Sequence, residues 1–295
     1  MGGSPTSEEN AMKASNEMDE HGNRATDNLV LSDGVRIPRL GLGLFRMARG
    51  ESTRSVVGQA LSLGYRHFDT ARVYGNEADV AAAIRASGIE RNEVFVTTKL
   101  WNDDQGFDAA LRAYDAMLTR TGLESVDLFL LHWPVPGKRL ESWRALERIY
   151  KEGRVRAIGV SNFMVRHLEE LLAHCEIRPS VNQIEVSPFL QQIDVRAYCA
   201  EHGIAVAAYS PLTKGLRLSH PVVAGIAASC GRTPAQVLLR WGLARDLIVL
   251  PKSTHPSRLA ENFAALHFEL GVKELEALDA LDEGLVTGWD PREVP

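Results

Sequence analysis

Between residues 40 and 251 the chain alternates eight times between two textures, and this alternation limits the possible folds more than any other feature. Short apolar runs, several rich in β-branched residues, occupy 40–45 (LGLGLF), 65–68 (YRHF), 94–98 (VFVTT), 127–131 (DLFLL), 155–160 (VRAIGV), 181–186 (VNQIEV), 204–209 (IAVAAY) and 247–251 (LIVLP). Longer segments with helical apolar spacing lie between them. Trp143, Leu146, Ile149 and Tyr150 fall on one helical face, and Val165, Leu168, Leu171 and Leu172 on another. Thr233-Pro234 predicts an N-cap followed by Pro at the first helical position.

Eight strand–helix units fit either a closed barrel or an open doubly wound sheet. The open sheet usually binds nucleotide through a G-x-G-x-x-G turn after its first strand. That place here reads GLGLFRMARG, with Arg46 at the third glycine position, and its glycines lie inside the apolar run. No G-x-x-x-x-G-K-S/T occurs. The pattern therefore predicts a single α/β (β/α)8 barrel over residues 28–295. The segment NLVLSDGVRIPRL predicts a hairpin around Asp33-Gly34 that plugs the barrel bottom. Residues 1–27 are expected to be a disordered tail. They hold Glu8, Glu9, Glu17, Asp19, Glu20 and Asp27 against Lys13 and Arg24, and so carry most of the chain's net charge of −5.

The rest of the chain nets −1, and nothing in this balance suggests a surface for nucleic acid or an anionic membrane. No apolar run approaches the roughly 18 residues of a membrane span, and the N-terminus has no signal-peptide segment. No protein partner is indicated. Cys175, Cys199 and Cys230 are widely spaced without a C-x-x-C, which predicts reduced thiols in the cytoplasm and no metal site.

In a barrel the functional face carries the C-terminal strand ends. Topology then gathers Asp69, Tyr74, Lys99, His132, Trp133, Ser161, Asn162, Gln183, Tyr209, Ser210, Lys252 and Ser253 on one rim. A phenol with a pKa of about 10 is a poor acid at neutral pH, and the Lys99 ammonium is expected to lower it. Asp69 can hold Lys99 charged, since a buried lysine tends to lose its proton. His132 can bond a substrate oxygen. These groups are equipped to protonate a developing alkoxide. A Schiff-base lyase using Lys99 is a rival, although Asp69 would keep that amine protonated. Ser161 nearly matches a hydrolase elbow, but Phe163 replaces the second glycine.

Three stretches, GYRHFDTARVYGNE (64–77), KEGRVRAIGVSNF (151–163) and LPKSTHPSRLAEN (250–262), with TTKLWN (97–102) and LLHWP (130–134) between them, give the chain a family likeness. From residue 28 to about 282 it resembles the aldo-keto reductases, and is similar to short-loop prokaryotic members such as methylglyoxal and diketogluconate reductases. The resemblance implies reduction of a small aldehyde or ketone by hydride from NADPH. It gives Tyr74 the role of proton donor, tuned by Lys99 and Asp69, with His132 orienting the carbonyl. It implies that Ser161, Asn162 and Gln183 hold the nicotinamide carboxamide and that Tyr209 stacks on the ring, with Ser210 and Leu212 beside it. Lys252, Ser253 and Arg258 would clasp the 2′-phosphate, and Glu261 and Asn262 would meet adenine. Phe45, Trp101, Trp133 and Trp289 would wall the substrate pocket. Phe45 stands where family members often carry Trp, and the short loops imply an open site. A cofactor-binding regulatory barrel without turnover is the remaining alternative.

Overall fold

The protein, described by a computed structural model over residues 28–295, opens with a hairpin of β1 (Asn28–Val30) and β2 (Arg36–Pro38) paired antiparallel. The expected N-terminal tail lies outside the described residues. Asp33 fixes the turn, its Oδ1 accepting from Val35 N at 3.1 Å and its Oδ2 from Ser180 Oγ at 2.5 Å.

Eight parallel strands follow in sequential order: β3 (Leu42–Gly43), β4 (His67–Asp69), β5 (Phe95–Leu100), β6 (Val126–Leu131), β7 (Val155–Ser161), β8 (Val181–Glu185), β9 (Ala205–Tyr209) and β10 (Ile248–Leu250). The barrel closes where Leu40 bridges Val249 in parallel and Gly41 and Gly43 donate to Val249 O and Pro251 O, each at 2.9 Å. Here the glycines of LGLGLF find their reason. A Cβ on Gly41 would sit 2.7 Å from His67 Nδ1 and from Leu250, so this position of the seam between first and last strands has no room for a side chain.

Side chains two residues apart share one face of a strand. Phe95, Leu128, Leu130, Ala157, Val181, Ala207, Ile248 and Leu250 fill the barrel interior, and Leu31 and Ile37 of the hairpin region pack into the same cluster. The hairpin thus plugs the barrel, and fully burying Ile37 contributes roughly 1.5–3 kcal/mol. A larger core lies between the strands and the helices around them. These helices are α1 (Glu51–Ser62), α2 (Glu77–Ala86), α3 (Phe107–Thr121), α4 (Arg139–Lys151), α5 (Val165–Leu172), α6 (Ile193–Glu201), α7 (Pro221–Cys230), α8 (Pro234–Ala244), α9 (Pro256–Phe263) and α10 (Val272–Asp279). Trp143, Leu146 and Ile149 of α4 are buried as their spacing predicts. Thr233 caps α8 reciprocally, accepting from Gln236 N at 3.2 Å while Gln236 Oε1 accepts from Thr233 N at 3.0 Å.

Among the described residues no single helix is long and apolar enough to cross a membrane. The three cysteines are unpaired. Strand ends differ from the sequence pattern in one consistent way. Asp69, Lys99 and Ser161 lie inside their strands, not after them. Tyr65 instead precedes β4, because its hydroxyl donates to Leu259 O at 3.0 Å and its ring packs on Phe263.

Candidate active site

Counting by twos from the interior cluster leads straight to the rim. Phe95 and Thr97 lead to Lys99, Leu128 and Leu130 to His132, Val181 to Gln183, and Ala207 to Tyr209. The sheet therefore carries these polar side chains inward at the C-terminal end.

Lys99 Nζ donates to Asp69 Oδ1 at 2.5 Å, to Thr70 O at 2.9 Å and to Tyr74 Oη at 3.4 Å. The pair is sealed, with Lys99 1% and Asp69 4% exposed. Burial pulls the Lys99 ammonium below the usual lysine range, and the Asp69 carboxylate works against that shift. Tyr74 departs from the sequence expectation. Its proton is held well above the usual phenol range, first by burial and then by the Asp69 carboxylate and Tyr209. Asp69 offsets much of the ammonium's charge as the phenol feels it, so the ion pair does not acidify the tyrosine.

His132 meets the Tyr74 ring edge-on at 5.8 Å and Trp101 at 5.2 Å. Burial, then the Lys99 charge, hold its imidazole well below the usual histidine range, so it is neutral. Its Nδ1 is buried and has no hydrogen-bond partner among the described residues.

A chain of hydrogen bonds continues around the mouth. Tyr209 Oη donates to Asn162 Oδ1 at 2.8 Å, and Asn162 Nδ2 donates to His132 O at 2.9 Å and Ser161 Oγ at 3.1 Å. Ser161 Oγ donates to Gln183 O at 2.8 Å. Gln183 Nε2 then crosses the barrel to Asp69 Oδ2 at 2.7 Å. Asn162 and Ser210 take left-handed backbone conformations with φ of 63° and 51°, a concentration of strain typical of functional rims. Leu212 lies two residues further along, partly buried against the outer core.

The residues present fit a dinucleotide carrying an extra phosphate. Gln183 Oε1 has no donor among the described residues and Asn162 Oδ1 keeps a second lone pair beside its bond from Tyr209, so both can accept from a carboxamide NH2. Lys252 and Arg258 are exposed and engage no carboxylate among the described residues, whereas Arg54, Arg120 and Arg245 each do. Between them Ser253 is buried, its Oγ accepting from His255 N at 3.1 Å, and α9 begins at once with no side-chain cap on its first N–H groups. Asn262 is buried, and one Glu261 oxygen is taken by Thr233 Oγ1 at 2.6 Å, which leaves the other for a ligand.

The four expected pocket residues divide into two groups. Phe45, 48% exposed, lies on Tyr74 at 5.0 Å, and Trp101 lies on His132. Trp133 faces Trp289 at 6.0 Å, and both line a cavity with Asn102, Asp290, Glu293 and Val294. Sequence reasoning misses Glu185. It is buried at the end of β8 and accepts from Thr287 N at 3.0 Å, Thr287 Oγ1 and Gly288 N at 3.2 Å, which ties the C-terminal segment bearing Trp289 to the rim. Counting by twos from Val181 reaches Glu185 and is the signal that could have found it. Among the described residues no group of three or more His, Cys, Asp or Glu is placed to hold a metal.

The site is thus a buried lysine–carboxylate pair beneath a rim phenol, set at the mouth of a (β/α)8 barrel. The Aldo/keto reductase family model matches residues 39–283. The chain is 46% identical over 266 residues to the oxidoreductase YtbE of Bacillus subtilis (strain 168), covering 89% of this chain and 95% of that protein. It is 43% identical over 268 residues to glyoxal reductase of the same organism, covering 91% and 97%. Among solved structures, an aldo/keto reductase from Brucella melitensis superposes with a TM-score of 0.84 at 43% identity, covering 86% of this chain and 99% of that one. A mutant of Gox0644 in complex with NADPH gives 0.86 at 41%, covering 91% and 98%. This chain belongs to the aldo/keto reductase family.

Proposed function

We propose that this protein reduces small aldehydes and ketones to alcohols with NADPH, and that Tyr74 delivers the proton. The observation that carries the proposal is the buried ammonium of Lys99, bonded at once to Asp69, Thr70 O and the rim phenol of Tyr74. A relative named glyoxal reductase and a neighbour solved with NADPH support the reaction class and the cofactor.

Ser161, Asn162, Gln183 and Tyr209 would hold the nicotinamide end, and Lys252, Ser253 and Arg258 the adenosine phosphate. When bound, the reduced nicotinamide supplies a hydride for the carbonyl carbon. The chain's own groups serve the oxygen. Tyr74, protonated through the neutral range, donates to the carbonyl oxygen as negative charge grows there. Lys99 stabilises the phenolate left behind and is kept aimed by Asp69 and Thr70 O. His132 is neutral, and with its hydrogen on Nε2 the buried Nδ1 remains a bare lone pair, so Nε2 is the second donor to the oxygen. Phe45, Trp101, Trp133 and Trp289 would wall the carbonyl end of the mouth.

The test is NADPH oxidation, with NADH alongside, against a panel of small aldehydes, dicarbonyls and keto acids, with Tyr74→Phe as control. NADPH-dependent turnover lost in the control is the expected result. Binding of NADPH without turnover of any carbonyl would favour a regulatory barrel.

A further inference from the structure

Gln183 and Asp69 lie 114 residues apart, on strands separated by three others in the barrel sheet, yet their side chains meet across the interior at 2.7 Å. Both are nearly sealed, Gln183 at 3% and Asp69 at 4% exposed. Asp69 divides its two oxygens cleanly. Oδ1 receives Lys99 Nζ, and Oδ2 receives Gln183 Nε2. An ionised carboxylate only accepts, so it fixes the amide with its NH2 toward Asp69 and its oxygen turned away from the carboxylate.

We propose that Gln183 is a positioning residue for the proton-delivering cluster, holding Asp69 so that one carboxylate oxygen, not two, faces Lys99. This inference rests on the carbonyl-reductase reading and deepens it. With Oδ2 occupied, the Lys99 ammonium keeps hydrogens for Thr70 O and Tyr74 Oη. Without that donor, a buried carboxylate oxygen is left unsatisfied, and the carboxylate turns to chelate the ammonium. Nζ then moves away from Tyr74. Where the same amide also accepts from the cofactor carboxamide through Oε1, as proposed above, occupancy there and the aim of the ion pair would be mechanically linked.

The experiment compares Gln183→Met and Gln183→Glu with the parent enzyme. Met keeps the length and loses the donor, so kcat falls by about tenfold or more at every pH. Glu donates to Asp69 only when protonated, so its kcat recovers as pH falls. The other charged or titratable groups around the cluster, Tyr74, His132, Tyr209, His67 below and Glu77 on α2, are unchanged in both variants. A second readout needs neither cofactor nor turnover. Carbon-13 NMR of the Lys99 ε-methylene, assigned with Lys99→Met, should show the ammonium titrating at higher pH in Gln183→Met, because both carboxylate oxygens then face it. If Gln183→Met raises only the KM for cofactor, with kcat, its pH profile and the Lys99 titration unchanged, Gln183 is a carboxamide holder alone and the inference is overturned. If the parent enzyme turns over no carbonyl, the reductase reading fails, while the NMR comparison still decides whether Gln183 positions the pair.

Discussion

The Tyr74 hydroxyl lies 3.4 Å from the Lys99 ammonium, at the long end of hydrogen-bonding range, while the same ammonium sits 2.5 Å from Asp69. The lysine is therefore committed to its carboxylate and only leans on the phenol. Such an arrangement leaves Tyr74 protonated at rest and gives it a cation to settle against once its proton has gone. If Tyr74 is the acid, Tyr74→Phe removes that function and little else, since the phenol's contacts with Phe45 and His132 are ring contacts. We expect kcat to drop by about 10²–10⁴ with NADPH affinity nearly unchanged. Steady-state kinetics with a fluorescence titration of NADPH checks both, and comparable turnover in the variant would remove Tyr74 from the acid role.

The pH profile separates these groups further. His132 is held well below its ordinary value of 6.5, so it is neutral on both sides of that pH, and Tyr74 keeps its proton there as well. The kcat for reduction should therefore run through pH 6.5 without an inflection. An inflection at that pH, lost in His132→Asn, would mean that the imidazole titrates with the reaction.

The barrel and its rim are legible in the sequence because both follow from local rules. The short apolar runs, the helical spacing between them and the strand–helix count set the topology, and topology alone brings Asp69, Tyr74, Lys99 and His132 together. Strand boundaries are less legible, since Lys99 and Ser161 complete ladders whose partners are far away in the chain. The acidity of Tyr74 escapes the sequence for a different reason. The Lys99 charge is visible there, but burial and the offsetting Asp69 charge are properties of the assembled site. Cross-barrel bonds such as Gln183 to Asp69 leave no local trace at all.

The cofactor clasp yields its own expectation. Arg258 stands at the start of α9, free of any carboxylate partner among the described residues. If it reads a 2′-phosphate, Arg258→Ala should weaken NADPH binding by about tenfold or more and NADH binding far less. Equal losses in paired isothermal titrations would place phosphate recognition elsewhere.

His67 predicts how the barrel fails in acid. It is fully buried below Asp69, bonded to Thr97 Oγ1 at 3.0 Å and to Pro38 O at 3.2 Å, and burial lowers its pKa from 6.5 to about 4. Between those values the unfolded chain binds a proton that the folded chain refuses. Its contribution is thus fully present above pH 6.5 and is lost as pH falls toward 4, a change of about 3 kcal/mol. Urea unfolding followed from pH 7 to pH 4 should show this loss, with a slope reaching about 1.4 kcal/mol per pH unit. His67→Gln should be less stable at pH 7 but flatter with pH. A variant as steep as the parent would assign the acid sensitivity to other groups.

The C-terminal segment gives the last expectation. Glu185 uses both oxygens on it, one toward Thr287 and one toward Gly288 N, while Lys214 donates to Thr287 O and Arg166 to Val294 O. Trp289, 72% exposed, thus depends on its neighbours for its place beside Trp133. In Glu185→Gln one acceptor becomes an NH2 that faces the Gly288 N–H, and two donors cannot share that contact. The cost is about 1–3 kcal/mol of local stability, as for other buried groups left unpaired. Hydrogen exchange should accelerate at residues 285–290 and leave the β4 and β5 amides protected. If Trp289 walls the substrate site, KM should rise for bulky aromatic aldehydes and stay near the parent value for two- and three-carbon carbonyls, which are too small to need that wall. Exchange that accelerates across the whole barrel would show instead that Glu185 supports the fold and not the segment.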